Sequence, residues 1–209
     1  MCWNSQVSLN TFLFSFSVLI FIYFNRNGKY RLENFHNKYV YLFFFSIIAI
    51  QLLEYFLWKN IDNKKMNRLL SIIGLIIILS QPFFSILSLK DTNKNKNKYL
   101  LFYLFFVLYM ILFKFKKINF STSVKNGHLQ WNWLSPNIID LIIFLYFLFI
   151  SVRKFNKISA ISLLLISLYN YYNDKSWGSL WCYWSNIVFL FFLVTILIIK
   201  PFKEYKKLC

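Results

Sequence analysis

Long apolar runs separated by short basic segments are the feature that most constrains how this chain folds. The mean hydropathy is +0.51 although the chain carries 24 Lys and Arg residues, so the charges lie between the apolar runs. Hydrophobic residues make up 58% of the sequence, against about 45–50% in soluble domains. Because backbone polar groups must be hydrogen-bonded internally in lipid, each run is expected to be helical. The sequence therefore predicts an all-α, polytopic membrane helical bundle, formed by a single domain over residues 1–209.

Seven of the runs reach or approach the length of a membrane span. A helix needs about 20 residues to cross roughly 30 Å of hydrocarbon, and about 17–25 are tolerated. The predicted spans are Val7–Phe24, Tyr39–Trp58, Leu69–Leu89, Tyr99–Phe115, Asn137–Val152, Ile158–Tyr172 and Tyr183–Ile199. The first run has neither a basic segment before it nor a small-residue cleavage site after it. It is therefore expected to remain in the mature protein.

The distribution of Lys and Arg predicts the orientation of these spans. Basic residues concentrate in the short connections on the cytoplasmic side. With seven spans and an outside N-terminus, the inner connections and tail carry 15 basic residues and the outer ones carry nine. The sequence therefore favours an N-out, C-in arrangement.

All seven Trp residues fall on one side of this topology, the outer side. They are Trp3, Trp58, Trp131, Trp133, Trp177, Trp181 and Trp184, and the last three lie in the polar-aromatic segment Ser176–Asn186. One interpretation is an interfacial belt, in which indole rings sit at the level of the lipid headgroups. Belts normally mark both sides of a membrane, so the alternative is a packed aromatic cap or binding surface.

The second predicted span carries a stripe of polar and aromatic residues. Gln51, Glu54, Tyr55 and Trp58 follow at helical spacing, so they share one face. A carboxylate within a span is costly and indicates function by default. The alternative is an acid at the outer interface that hydrogen-bonds a neighbouring helix.

Two further acids and an amide lie near the outer side. Asp140 opens the fifth predicted span, and Asn170 and Asp174 lie at the end of the sixth. Stabilisation by the helix dipole is a sufficient explanation for Asp140, whereas Asp174 stands at a C-terminal end. Together with Glu54, these residues could line an acidic pocket under the Trp residues, with an ion or a polar solute as its occupant.

The three cysteines predict neither a disulfide framework nor a metal site, because no two stand at zinc-ligand spacing. Cys2 and Cys182 share the outer side, whereas Cys209 lies in the inner tail. Cys2 and Cys182 could form a disulfide that ties the N-terminus over the last connection. The alternative is that they remain apart, since two cysteines on one side need not meet.

Several function classes are disfavoured. His36 and His128 lie in connections on opposite sides, no Ser/His/Asp or phosphate-loop pattern is present, and there are only four glycines. An enzyme and a bound cofactor are therefore not expected. The net charge of +17 is spread over many connections rather than along one face, so a nucleic-acid partner is not expected either.

Gln81-Pro82 predicts a kink in the third span, where the Gln amide could bond the carbonyl that Pro frees.

Three short motifs carry a resemblance. They are Met1-Cys2-Trp3-Asn4, the Gln51 to Trp58 stripe, and Gly178-Ser179-Leu180-Trp181-Cys182. In these motifs the chain resembles an uncharacterised family of multi-pass membrane proteins encoded by large DNA viruses of protists. The resemblance covers nearly the whole chain and implies no activity.

The sequence leaves two functions open for an integral, multi-pass membrane protein. The first is transport of a small solute or ion through a polar site formed by Gln51, Glu54, Asp140, Asn170 and Asp174. The second is a structural or interaction role in a viral or organelle membrane, in which the Trp-rich face docks another membrane protein. In both cases the lipid bilayer is a partner.

Overall fold

A computed structural model describes residues 4–89, 94–114, 120–123, 129–132, 137–151, 165, 169 and 177–201. Within these ranges the chain forms six helices and one short pair of strands. The helices are α1 (Ser5–Phe24), α2 (Lys38–Lys59), α3 (Lys64–Leu87), α4 (Lys96–Tyr109), α5 (Ile138–Leu148) and α6 (Trp177–Val194). π-helical turns extend α4 over Met110–Lys114 and α6 over Thr195–Ile199. The strands β1 (Thr122–Ser123) and β2 (Leu129–Gln130) pair antiparallel.

Asparagine side chains start four of these helices. Asn4, Asn37, Asn63 and Asn137 each accept a hydrogen bond from a backbone N–H in the first turn of α1, α2, α3 and α5. Asn is among the best N-cap residues because its side-chain oxygen satisfies a donor that has no partner within the helix. The asparagine-rich composition therefore has a direct structural use at the ends of the apolar runs.

Four of the helices are long and apolar enough to cross a membrane: Ser5–Asn27, Lys38–Lys59, Lys64–Leu87 and Lys96–Lys114. In the described part of the chain, Ile138–Leu148 and Asn186–Ile199 are shorter apolar helices. Large apolar side chains are exposed along the sides of the bundle, for example Ile76, Phe105 and Ile139. These features support the prediction of a helical membrane protein, and the first four predicted spans each coincide with a helix to within a few residues.

The remaining predicted spans differ from the structure or lie outside it. α5 ends at Leu148 rather than Val152, and the predicted span Ile158–Tyr172 lies outside the described residues apart from two isolated positions. The last helix begins at Trp177 rather than Tyr183. The segment Ser176–Asn186 was interpreted as a connection between two spans, but it contains no proline and only one glycine, which falls in the first turn. Nothing in it therefore stops the helix from starting early.

Side-chain contacts fix the directions of the helices. Tyr23 meets Tyr41 and Phe16 meets Phe45, so α1 and α2 are antiparallel. Asn37 bonds the Ser88 carbonyl, Tyr103 bonds the Leu79 carbonyl, and Lys114 pairs with Asp140, which makes α2 and α3, α3 and α4, and α4 and α5 antiparallel in turn. We call the end of the bundle where α1 begins the N-terminal face. The connection between α2 and α3 and the strand pair lie at that face.

α2 separates two apolar cores. One core lies between α2, α3, α4 and α5 and includes Leu57, Leu79 and Leu145. The other lies between α1, α2 and α6 and includes Ile22, Ile48 and Phe189. Phe44 of α2 packs against both cores. α2 is therefore the central helix of the described bundle.

Small polar residues join α1 to α6. The amide of Asn186 donates to the Thr11 hydroxyl at 3.1 Å and accepts from the Ser15 hydroxyl at 2.8 Å. Ser8, Thr11 and Ser15 are buried and recur at helical spacing. Small side chains let two helices approach closely, and an interhelical amide bond adds direction to the contact. Further along, Phe192 packs against Phe35, so α6 runs in the same direction as α1.

Candidate polar site in the bundle core

The polar stripe predicted on α2 lies inside the bundle. Gln51 is 1% exposed and Glu54 has no exposed surface. Tyr55 and Trp58 are partly buried, and Trp58 packs against the core that α2 shares with α3. Glu54 stands five residues, or about 7–8 Å along the helix, from Lys59, the last residue of α2. It is a membrane-helix carboxylate enclosed by protein rather than an acid exposed at the interface.

α3 presents a second polar stripe to the bundle interior. Its buried small or polar residues alternate at spacings of four and three, interrupted by one apolar position. They are Asn67, Ser71, Gly74, Gln81, Ser85 and, just after the helix, Ser88. This spacing keeps all of them on one helix face. Polar side chains therefore lie on this face near both ends of α3, and Gly74 and Ile78 separate the two groups.

A small cavity lies between the two stripes. Its walls include Gln51 of α2, Gln81 of α3 and Trp131, together with the apolar residues Ile47, Ile50, Ile78, Phe144 and Leu148. Its volume is about 30 Å³. A buried water needs roughly 10–15 Å³ on this measure, so the cavity accommodates one or two water molecules. Three of its lining side chains carry polar atoms.

Glu54 lies on the helix face that lines this cavity. Ile47, Ile50 and Gln51 form the α2 wall of the cavity. Glu54 follows Gln51 by three residues, which places the two side chains next to each other on one face. The carboxylate thus stands one turn beyond the cavity, on the side of the N-terminal face.

The Gln81-Pro82 pair lies inside α3, as predicted, but the Gln81 amide has a different partner. Its Nε2 donates to the Ser46 carbonyl of α2 at 3.4 Å, across the helix interface rather than along its own helix. Pro82 has no N–H to donate to the Ile78 carbonyl. One residue further along, the Leu79 carbonyl accepts a hydrogen bond from the buried Tyr103 hydroxyl of α4. Neighbouring helices therefore supply polar partners around the proline.

Asn67 connects α3 to the segment between α4 and α5. Its Oδ1 accepts from the Ser121 backbone N–H at 3.0 Å, and its Nδ2 donates to the Ser121 carbonyl at 3.0 Å. The same Nδ2 lies 3.2 Å from the Ile61 carbonyl, and the Ser71 hydroxyl donates to Oδ1 at 3.3 Å. Asn67 has no exposed surface and Ser121 is 1% exposed. The Asn67 side chain thus bonds the backbone of Ser121 in the way that a neighbouring β-strand would, through both its N–H and its carbonyl.

The strand pair next to this contact has one buried side and one exposed side. Along β2, Leu129 and Trp131 are buried whereas Gln130 and Asn132 are partly exposed, the alternation expected of an extended strand. Asn132 Nδ2 donates to the Phe120 carbonyl at 3.0 Å and to the Thr122 hydroxyl at 2.9 Å, which ties the two strands together. β2 also contacts α6. The strand pair is therefore inserted between helices, with Trp131 reaching the cavity.

Asp140 has two local partners. Its Oδ2 accepts from the Asn137 backbone N–H at 3.0 Å, while the Asn137 side chain accepts from the Asp140 N–H at 2.7 Å, which forms a capping box at the start of α5. Lys114, at the end of α4, lies 3.1 Å from the same oxygen. These contacts support the interpretation of Asp140 as a helix-terminal acid, and they tie α4 to α5.

The position of Trp131 bears on the choice between an interfacial Trp belt and a packed aromatic cap. Trp131 is 6% exposed and belongs to the core rather than to a surface belt, so it fits the packed cap. Trp177, Trp181 and Trp184 fall on the backbone of α6, but their side chains lie outside the described part. Trp3 and Trp133 lie outside the described residues altogether.

Other predicted site residues also lie outside the described residues. They are Asn170, Asp174 and Cys2. Cys182 lies on the backbone of α6, and its side chain is not among those described. The predicted acidic pocket that Asn170 and Asp174 would line under the Trp residues, and the predicted pairing of Cys2 with Cys182, therefore stay predictions. In the described ranges, three or more His, Cys, Asp or Glu residues nowhere cluster as they would around a metal ion.

The residues missed by sequence reasoning are Asn67, Ser121 and Asn186. Asn67 follows a basic segment and looks like a residue of an exposed connection. The alternating spacing of Asn67, Ser71, Gly74 and Gln81 along α3 is the signal that could have revealed it. Ser121 and Asn186 have no such signal, since their partners are distant in sequence.

Comparison with known proteins adds no relatives. No protein-family model matches the chain, and neither a curated protein nor a solved structure is detectably similar to it.

Asp140 offers a direct test of what fixes the junction between α4 and α5. We expect Asp140→Ala to lower the free energy of unfolding by about 1–2 kcal/mol, because it removes the Asp140 half of the capping box and the ion pair with Lys114, while the Asn137 side chain still caps the helix. Asp140→Asn keeps an oxygen for the cap and loses only the charge, so its cost is expected to be less than half as large. Thermal unfolding in detergent would measure both. Equal losses would mean that the pair with Lys114 dominates.

Proposed function

We propose that this protein is an integral, multi-pass membrane protein that transports a small inorganic cation or protons, with Glu54 as the ionisable group on the route. The observation that carries the proposal is the complete burial of Glu54 in the central helix of the bundle, one turn beyond a water-sized and mostly apolar cavity that Gln51 and Gln81 help to line. The proposed topology has seven spans with the N-terminus outside and the C-terminus inside.

The directions of α5 and α6 support the sixth predicted span, and with it a total of seven. α5 ends near Ser85, at the end of α3, so it finishes opposite the N-terminal face. α6 begins at the N-terminal face, because it runs parallel to α1 and ends with Lys200 at the Arg31 carbonyl. The described residues on either side, Ser151 and Trp177, therefore lie at opposite ends of the bundle, which is the arrangement that the predicted span Ile158–Tyr172 requires.

The cost of burying an acid supports a functional role for Glu54. An ionisable group inside a membrane bundle is expensive and typically marks an ion or proton pathway. An acid kept only to bond a neighbouring helix could be replaced by an amide or a hydroxyl, as the Gln and Ser residues along α3 illustrate. The same face of α3 carries further buried polar side chains toward both ends of the helix.

The size of the cavity restricts the transported species. A space of about 30 Å³ fits a water molecule or a small ion. A sugar or an amino acid has many more heavy atoms and does not fit this conformation. We therefore favour an inorganic cation or a proton over an organic solute.

The second candidate is a structural or docking role in a viral or organelle membrane. The resemblance to viral membrane proteins is compatible with this role. Partner docking through the Trp-rich face requires the indole rings to be accessible. Burial of Trp131 in the core argues against its taking part, so a docking surface would have to be formed by the other Trp residues.

Ion flux in liposomes tests the transport proposal. We expect vesicles containing the purified protein to pass H⁺, Na⁺ or K⁺ down an imposed gradient faster than protein-free vesicles. A pH-sensitive dye inside the vesicles reports protons, and cation-sensitive dyes report the metals. Flux equal to that of empty vesicles for all three ions, under gradients of both directions, would refute the proposal.

A further inference from the structure

We propose that the strand pair is a plug that closes the cavity beside Gln51 and Gln81 toward the N-terminal face, and that Asn67 is the positioning residue whose hydrogen bonds favour the closed state. The plug consists of residues 120–123 and 129–132. The proposal extends the proposed function, since a transporter must control access to its site, but its test measures accessibility. The two proposals can therefore fail separately.

The inserted position of the plug is the first argument. Extended backbone is tolerated at the depth of a membrane bundle only where protein covers it or water reaches it. The inward residues Ser121, Leu129 and Trp131 are all buried, and Leu129 has no exposed surface. Trp131 forms part of the cavity wall. Removing the plug would therefore open that wall.

The attachment of the plug is the second argument. Asn67 bonds both the N–H and the carbonyl of Ser121, which ties the inward strand to α3 by hydrogen bonds. Leu129 and Trp131 add apolar packing in the core that α3 shares. Asn67 also bonds the Ile61 carbonyl in the connection that leads into α3. A single amide thus joins two connections at the same face. Its loss would weaken the attachment of the plug without breaking a helix, and the packing of Leu129 and Trp131 would remain to be overcome.

The chemistry of this attachment suits a reversible closure. Losing these amide hydrogen bonds is costly while Ser121 stays buried, and the cost falls once the segment has moved to where water reaches it. Thr122 and Ser123 on the outward side of the plug are exposed, so one side of the segment is already solvated. Local opening of this kind draws on weakly held segments while the helices keep their packing.

Cysteine accessibility tests the plug directly. Ile78 lines the cavity, and Ile78→Cys is introduced into a chain whose native cysteines are replaced by Ser. A membrane-impermeant thiosulfonate is then applied from each side of oriented vesicles. Removing a buried hydrogen-bonding group shifts a local opening equilibrium by roughly tenfold or more. We therefore expect Asn67→Ala to raise the reaction rate at Ile78→Cys by at least about tenfold, from the N-terminal face alone.

Two controls separate opening of the plug from general loosening. Ile48→Cys on α2 reports the other apolar core, where Ile48 has no exposed surface, and it should stay unreactive with Asn67→Ala. Asn132→Ala removes the bonds to Phe120 and Thr122 without touching α3, and it should accelerate Ile78→Cys in the same direction. If the Asn67→Ala protein does not fold, the reaction rate of Ile78→Cys with Asn132→Ala tests the proposal in its place. Unchanged rates at Ile78→Cys, equal acceleration at Ile48→Cys, or reaction from the opposite face alone would overturn the proposal.

Discussion

Glu54→Gln is expected to reduce ion flux through the protein by about 100-fold or more, while leaving the fold intact. A positioned group that takes up and releases protons contributes about 10²–10⁴-fold to a transfer step. Gln keeps the size of Glu and one acceptor oxygen, but an NH2 donor replaces the other oxygen, and the amide has no charge and does not exchange a proton. A cation route would lose its counter-charge by the same substitution. The measurement is flux in liposomes with matched amounts of protein.

Glu33→Gln is the matched control for this substitution. Glu33 is exposed in the connection between α1 and α2, so the same chemical change there should leave the flux unaltered. Folding of the Glu54→Gln protein can be checked by thermal unfolding. We expect an equal or higher unfolding temperature, since a buried amide costs less than a buried charge. Full flux from a folded Glu54→Gln protein would remove Glu54 from the route.

Asn67→Leu is expected to destabilise the protein by about 3–5 kcal/mol, because it strands several buried polar groups at once. The N–H and carbonyl of Ser121 and the carbonyl of Ile61 each lose a partner that the Leu side chain does not replace. Leaving one such group unsatisfied costs about 1–3 kcal/mol. Since a whole protein is stable by only about 5–15 kcal/mol, the loss should be visible as a large drop in the unfolding temperature.

Asn63→Ala provides the comparison within the same helix. Asn63 is exposed and caps α3 by accepting from the Met66 N–H at 3.2 Å. Loss of an N-cap costs about 1 kcal/mol. Both asparagines lie within one turn of each other, so the difference between the two variants reports burial rather than position. Losses of similar size would mean that water readily replaces Asn67 at Ser121.

The apolar runs of the sequence specify the helices of the first half of the chain almost completely. The predicted runs coincide with α1 to α4 because hydropathy and helix-capping Asn residues are local properties. The predicted span starts at Tyr183, six residues after the observed start at Trp177, because hydropathy excludes the polar residues at the beginning of Ser176–Asn186. Tryptophan and serine are acceptable in a helix, so polarity alone did not indicate an end.

Some features of the polar site follow from local sequence, and others depend on contacts between distant parts of the chain. Gln51 and Glu54 could be placed on one face from their spacing, since helical periodicity is fixed by the backbone. That this face points into the protein, and that Trp131 belongs to the core rather than to a surface belt, depends on how the segment between α4 and α5 folds back. Asn67 and Ser121 are 54 residues apart in sequence, and no local pattern encodes that contact.

The sequence by itself therefore determined the helical class, the membrane-length runs and the one-sided positions of the polar residues on α2. Those properties follow from composition and from a period of 3.6 residues. Only the tertiary structure decided that α2 lies between two cores, that Asp140 pairs with Lys114, and that an extended segment enters the bundle. These depend on which surfaces meet, and a contact between distant segments is favourable only once both are already in place.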